Sequence, residues 1–224
     1  MSGPADTAGE GRRARLAASH LYVVTDAREA RGDLPVFLEA ILTAGVDLIQ
    51  LREQDADADD LLRWAAVFRD AARRHGALFF VNDRPDVALA VGADGVHVGQ
   101  NDLAVEFVRG LVGPGVLVGV STHDERQLAE ASPDADYVCV GPVHETPTKP
   151  GRPAAGVGLV RAAARTEPRP WFAIGGIDRE TLPEVIEAGA RRIVVVRAVT
   201  EAPDPAAAVR DLLAGLRTAP GPFA

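Results

Sequence analysis

Asp83 and Asp102 each follow a short apolar run, Asp83 in LFFVND and Asp102 in GVHVGQND. Two carboxylates at one end of neighbouring strands repel each other. A hard divalent cation between them, completed by water and phosphate oxygens, relieves that repulsion and fits the habits of Mg²⁺. The alternative is that each aspartate caps the helix after it. Arg52 closes the run LIQLR with a planar fork suited to phosphate. Lys149, in HETPTKPGRP, is the single lysine among 24 Lys and Arg residues. It supplies a compact, hydrated charge on a flexible stem, which guanidinium does not imitate. Asn82 and Ser121 close two further runs and can add hydrogen bonds. A metal with two cationic side chains suits a diphosphate better than a monophosphate.

A second anion site is readable in AIGGI (173–177) and in Val196-Arg197, where the last apolar run ends. Glycines there let backbone N–H groups approach a phosphate closely. One diphosphate held with a metal and one monophosphate make the layout of a group transfer with pyrophosphate leaving. No nucleophile triad emerges. His97 sits within an apolar run and reads as a satisfied interior residue. His123 closes a run and can handle a proton. Cys139, in YVCVG, reads as buried packing.

These groups need elements that carry them to one place. Apolar, β-branched runs occur at 21–25, 48–52, 78–82, 95–99, 117–121, 137–141, 171–175 and 192–196. Their near-continuous hydrophobicity fits strands buried on both faces. Helices are expected near 34–44, 57–75, 85–91, 103–111, 124–132, 157–165, 179–188 and 205–216. In the second, Asp57 or Asp59 can cap the start and Gly76 ends it. Thr122 with Glu125 makes a capping box for another. Strands alternating with helices in this way predict a single (β/α)₈ TIM barrel, whose chemistry sits where strands end. The rival is an open doubly wound sheet, but LYVVTDAREARGD lacks the glycine-rich dinucleotide turn after the first strand. Residues 19–218 are the expected barrel, 1–18 a disordered lead-in without a signal-peptide core, and 219–224 a flexible tail.

Composition narrows the partners. The chain has 224 residues, a net charge of −8 and only 5% aromatic residues. Its acidity excludes a nucleic-acid or anionic-membrane surface. No stretch approaches the ~20 apolar residues of a membrane span. One cysteine excludes a disulfide scaffold and favours a cytoplasmic setting. The expected partners are two phosphorylated small molecules, with a homo-oligomer left open.

In these residues the chain resembles the thiamine-phosphate synthase family from Leu21 to about Leu216. The matching stretches, in order, are GVDLIQLRE, FVNDRPDVALAVGADGVHVGQND, GVSTHD, GPVHETPTKPG, AIGGI and AGARRIVVVRAV. The resemblance implies a Mg²⁺-dependent barrel that joins hydroxymethylpyrimidine diphosphate to a thiazole phosphate, carboxylated or plain, and releases pyrophosphate. It implies that Gln50, Arg52, Asn82, Ser121 and Lys149 hold the pyrimidine diphosphate. Asp83 and Asp102 would hold the metal. Thr146, Pro147, Thr148, Gly176, Val196 and Arg197 would hold the thiazole phosphate. Arg52, Lys149 and Ser121 are the expected catalytic groups, in a dissociative mechanism. Three positions depart from the family pattern: Gln54 where lysine is usual, His144-Glu145 where an aromatic and a proline are common, and Arg197 for serine. Two other readings are a thiazole tautomerase and a non-catalytic phosphate-binding barrel.

Overall fold

The computed structural model describes residues 4–146 and 153–218. Every expected strand forms: β1 (Leu21–Thr25), β2 (Leu48–Leu51), β3 (Leu78–Asn82), β4 (Gly95–Val98), β5 (Leu117–Thr122), β6 (Tyr137–Val140), β7 (Trp171–Ile174) and β8 (Ile193–Val195). Neighbours run parallel and β8 pairs back onto β1, so the sheet closes into a (β/α)₈ barrel. The helices are α1 (Pro4–Ala18), α2 (Leu34–Thr43), α3 (Ala58–His75), α4 (Pro85–Val91), α5 (Val105–Val112), α6 (Glu125–Ala129), α7 (Gly156–Thr166), α8 (Leu182–Glu187), α9 (Arg197–Thr200) and α10 (Pro205–Arg217).

Alternation along each strand explains why both faces are apolar. Val23, Ile49, Phe79, Val96, Val118 and Val138 face the helices. Tyr22, Leu48, Phe80, Tyr137, Phe172 and Val194 fill the barrel interior. Two glycines make room for the interior rings. A Cβ on Gly95 would lie 2.2 Å from the Phe80 ring, and one on Gly119 would lie 2.1 Å from that of Tyr137. The rings of Phe80, Tyr137 and Phe172 meet edge to face and plug the centre as a cluster.

Residues 4–18 correct the expectation of a disordered lead-in. They form α1, docked across the end of the barrel where the strands begin. Leu16 joins the interior cluster, 1% exposed. Arg12 Nε bonds Asp94 at 2.8 Å, Arg13 Nε bonds Asp136 at 2.7 Å, and Arg15 donates to the carbonyls of Gly76 and Ala77. Those aspartates have a second task. Asp94 also accepts from Phe79 N–H and Asp136 from Val118 N–H, while Asp47 accepts from His20 and Leu21 N–H. Each carboxylate thereby ties the start of an odd-numbered strand to its even-numbered neighbour, and α1 locks onto two of them. The helix stands on tertiary contacts, not on a local apolar stripe.

The caps divide. Asp57 accepts from Asp60 N–H and Gly76 closes α3 at φ +69°, as expected. Thr122 makes no capping box: it stays in β5 and donates to Cys139 O, and Asp124 caps α6 instead. No helix among the described residues is long and apolar enough to cross a membrane.

Candidate active site

Seven of the expected site residues meet in one cavity of about 370 Å³ at the strand ends: Gln50, Arg52, Asn82, Asp83, Asp102, Ser121 and Val196. Gln54 and Gln100 line it too. Thr146, Gly176, Val196 and Arg197 line an adjoining cavity of about 320 Å³. Ser121, His123, Ile174, Val194 and Val196 belong to both. Pro147, Thr148 and Lys149 lie outside the described residues.

Neither aspartate caps the helix that follows. Arg84 and Ala104 stand at the N-caps of α4 and α5 without side-chain caps. Asp83 takes the left-handed conformation at φ 60°, with its N–H on His97 O at 2.8 Å. That is an uncommon backbone for a residue other than glycine, and it turns the carboxylate off the line of β3. Asn82 donates to it from beside. Asp102 accepts from Gly99 N–H at 2.7 Å, which holds its loop over β4. Burial first, then the hydrogen bond and charge of Asp102, push the Asp83 carboxyl up to about 6, against opposing pulls from Arg52 and Asn82. Two oxygen donors under mutual repulsion are a fitting seat for a cation that keeps several waters and takes phosphate oxygens for the rest. Among the described residues no third His, Cys, Asp or Glu joins them.

The second cavity is built on close backbone approach. Gly175 and Gly176 sit at φ +106° and +61°, and Cβ atoms there would lie 2.5 Å from Pro142 and 2.6 Å from His144. Thr181 Oγ1 fixes the loop by donating to Gly176 O. Among the described residues, the N–H groups of Gly176, Arg197 and Ala198 have no protein acceptor. Arg197 opens α9, a helix too short to announce itself by periodicity, and its side chain is exposed.

Between the cavities, His123 Nδ1 contacts Gly141 O. A carbonyl only accepts, so Nδ1 carries the proton in this contact. His97 is satisfied, as expected, but by a site residue: Nε2 lies 2.9 Å from Ser121 Oγ, and Nδ1 3.0 Å from Tyr137 Oη. Gln50 Nε2 donates to Tyr22 Oη, and Gln100 Nε2 to Ser121 O. Sequence reasoning missed Tyr22, Tyr137 and Gln100. For the first two a signal existed, because they are the chain's only tyrosines and both fall in strands buried on both faces. A buried hydroxyl must find a partner.

The family model described as thiamine monophosphate synthase matches residues 21–199. The chain belongs to the thiamine-phosphate synthase family. It is 54% identical over 210 residues to the thiamine-phosphate synthase of Acidothermus cellulolyticus, covering 92% of this chain and 99% of that one. Identity is also 54% to that of Mycolicibacterium smegmatis, over 92% and 95% of the two chains. A solved thiamine phosphate pyrophosphorylase from Pyrococcus furiosus superposes with a TM-score of 0.83 at 31% identity, over 93% of this chain and 99% of that one. Within the thiamine-phosphate synthase frame, the departures fall at the rim. Gln54 is exposed beside Arg52, and His144 Nε2 lies 3.3 Å from Glu184.

Proposed function

We propose that the chain condenses 4-amino-2-methyl-5-hydroxymethylpyrimidine diphosphate with a thiazole phosphate, carboxylated or plain, to give thiamine phosphate and pyrophosphate. The observation that carries this is the shared wall of the two cavities. Ligands in each meet across Ser121, His123, Ile174, Val194 and Val196. Family membership and the likeness to the Pyrococcus enzyme support the same reading.

The chemistry assigned to the residues is mainly positioning and electrostatics. Gln50 and Ser121 hold the pyrimidine end, Arg52 and Asn82 reach the diphosphate, and Lys149 adds the second cationic contact. Asp83 and Asp102 would hold Mg²⁺, which when bound supplies charge neutralisation to the leaving group. The diphosphate departs with its bonding electron pair, and the aminopyrimidine delocalises the cation left on its methylene carbon. The thiazole nitrogen, held through its phosphate by Gly176, Arg197 and the Thr146–Thr148 segment, then forms the new C–N bond. The apolar side chains of Ile174, Val194 and Val196 keep water from competing. No side-chain nucleophile is needed.

Pyrophosphate release is the test. It is expected only when both substrates and Mg²⁺ are present. Isomerisation of the thiazole without Mg²⁺ would favour the tautomerase reading, and binding without turnover the non-catalytic one.

A further inference from the structure

Five side chains from five strands form one hydrogen-bonded path through the barrel interior. Gln50 Nε2 donates to Tyr22 Oη, and the two tyrosine hydroxyls are 3.2 Å apart. Tyr137 Oη lies 3.0 Å from His97 Nδ1, and His97 Nε2 lies 2.9 Å from Ser121 Oγ. Each hydroxyl has one proton to give, and so has a neutral imidazole. Because Gln50 donates into Tyr22, the Tyr22 proton goes on to Tyr137. Tyr137 in turn donates to His97 Nδ1. The imidazole proton therefore sits on Nε2 and points at Ser121 Oγ. Gln50, the two tyrosines and His97 then each donate once along the path, and no tyrosine proton is left over. Burial pushes both tyrosines well above their ordinary range, so neither gives up its proton.

Both ends of the path line the larger cavity. With Nε2 of Gln50 engaged, its Oε1 is the atom presented there, as an acceptor. With Ser121 Oγ accepting from His97, the serine's own proton is presented there, as a donor. Flipping the Gln50 amide would reverse every link and exchange the two roles, so the ends are not independent.

We propose that Tyr22, Tyr137 and His97 are positioning residues that impose this polarity, so that the cavity selects a ligand with a hydrogen-bond donor at Gln50 and an acceptor at Ser121. This rests on the reading under Proposed function: an aminopyrimidine diphosphate offers an exocyclic amine for the first and phosphate oxygens for the second. A pyrimidine bearing an oxo group in place of the amine sets two acceptors against each other at Gln50.

Two measurements test it. In ¹⁵N NMR of the substrate-free protein, with the His97 signals assigned by their loss in His97→Asn, the proton is expected on Nε2 with Nδ1 bare. A proton on Nδ1 overturns the proposal. In steady-state kinetics, Tyr137→Phe is expected to lower kcat/KM for the pyrimidine diphosphate about tenfold, the scale of one buried hydrogen bond. KM for the thiazole phosphate should not change. The loss caused by Tyr137→Phe should be smaller in a Ser121→Ala background than in the wild type, because only the Gln50 end is then left for it to act through. Multiplying defects would mean a merely structural role and would also overturn it. Should Tyr137→Phe fail to fold, Tyr22→Phe runs the same cycle. The tautomer is read without turnover, so a chain lacking synthase activity would sink the functional reading and leave this one to be decided by NMR.

Discussion

Asp102→Asn should make the metal-free protein more stable at neutral pH, although it deletes a charge from the site. The asparagine keeps an oxygen for Gly99 N–H and removes the negative charge facing Asp83. The Asp83 carboxyl stands at about 6 against an ordinary 3.8. Two units correspond to a ceiling of about 3 kcal/mol, which solvent screening at this half-buried site reduces to roughly 1–2 kcal/mol. Burial is the larger cause and survives the substitution, so the gain is about 0.5–1 kcal/mol, or ~2 °C in a domain of this size. The sign follows from proton counting. A raised carboxyl means that the folded state holds more protons than the unfolded one between about pH 4 and 6. The penalty is therefore absent below the ordinary value, grows through that window and is complete above it. Thermal unfolding in chelator at pH 4.5 and 7.5 should show the variant's advantage only at 7.5. Added Mg²⁺ should then stabilise the native protein at pH 7.5 and leave the variant nearly unmoved. An equal shift at both pH values, or equal rescue of both proteins by Mg²⁺, would refute the carboxylate-pair argument.

Three further outcomes are expected. Gly176→Ala forces a Cβ to within 2.6 Å of His144 at φ +61°, so KM for the thiazole phosphate should rise at least about tenfold while that for the pyrimidine diphosphate holds. Leu16→Ala should cost roughly 2–4 kcal/mol in urea unfolding, because the side chain closes the interior cluster from below; a loss under 1 kcal/mol, by the same scale, would return α1 to the status of an appendage. Lys149→Ala should cripple turnover and Lys149→Arg should restore it only in part, since a planar fork does not replace a compact ammonium. Full activity in the arginine variant would show that the choice of lysine there has no functional weight.

Strands were legible because runs such as LFFVN and YVCVG are apolar on both faces, a pattern that turns and short helices do not share. The lining of the candidate cavity was legible for a related reason: Asn82, Asp83 and Ser121 interrupt those runs at the same end. Four features were not. Helix α1 reads as polar low-complexity sequence, because what holds it lies at Asp94 and Asp136, far along the chain. Helix α9 has four residues, fewer than two turns of any period. Thr122 reads as the cap of α6, but Asp124 takes that place because β5 runs on through Thr122. Finally, an inward-facing tyrosine looks like any other aromatic until the opposite wall of the barrel supplies its partner.

The anchoring of α1 also bears on how the chain is made. Arg12 and Arg13 are synthesised before their carboxylate partners, which follow 82 and 123 residues later. Until Asp94 and Asp136 have been synthesised, these two arginines have no carboxylate to grip, and each contact closes a long loop. A segment made before its partners thus waits for them, and once docked it seals the pole opposite the candidate site.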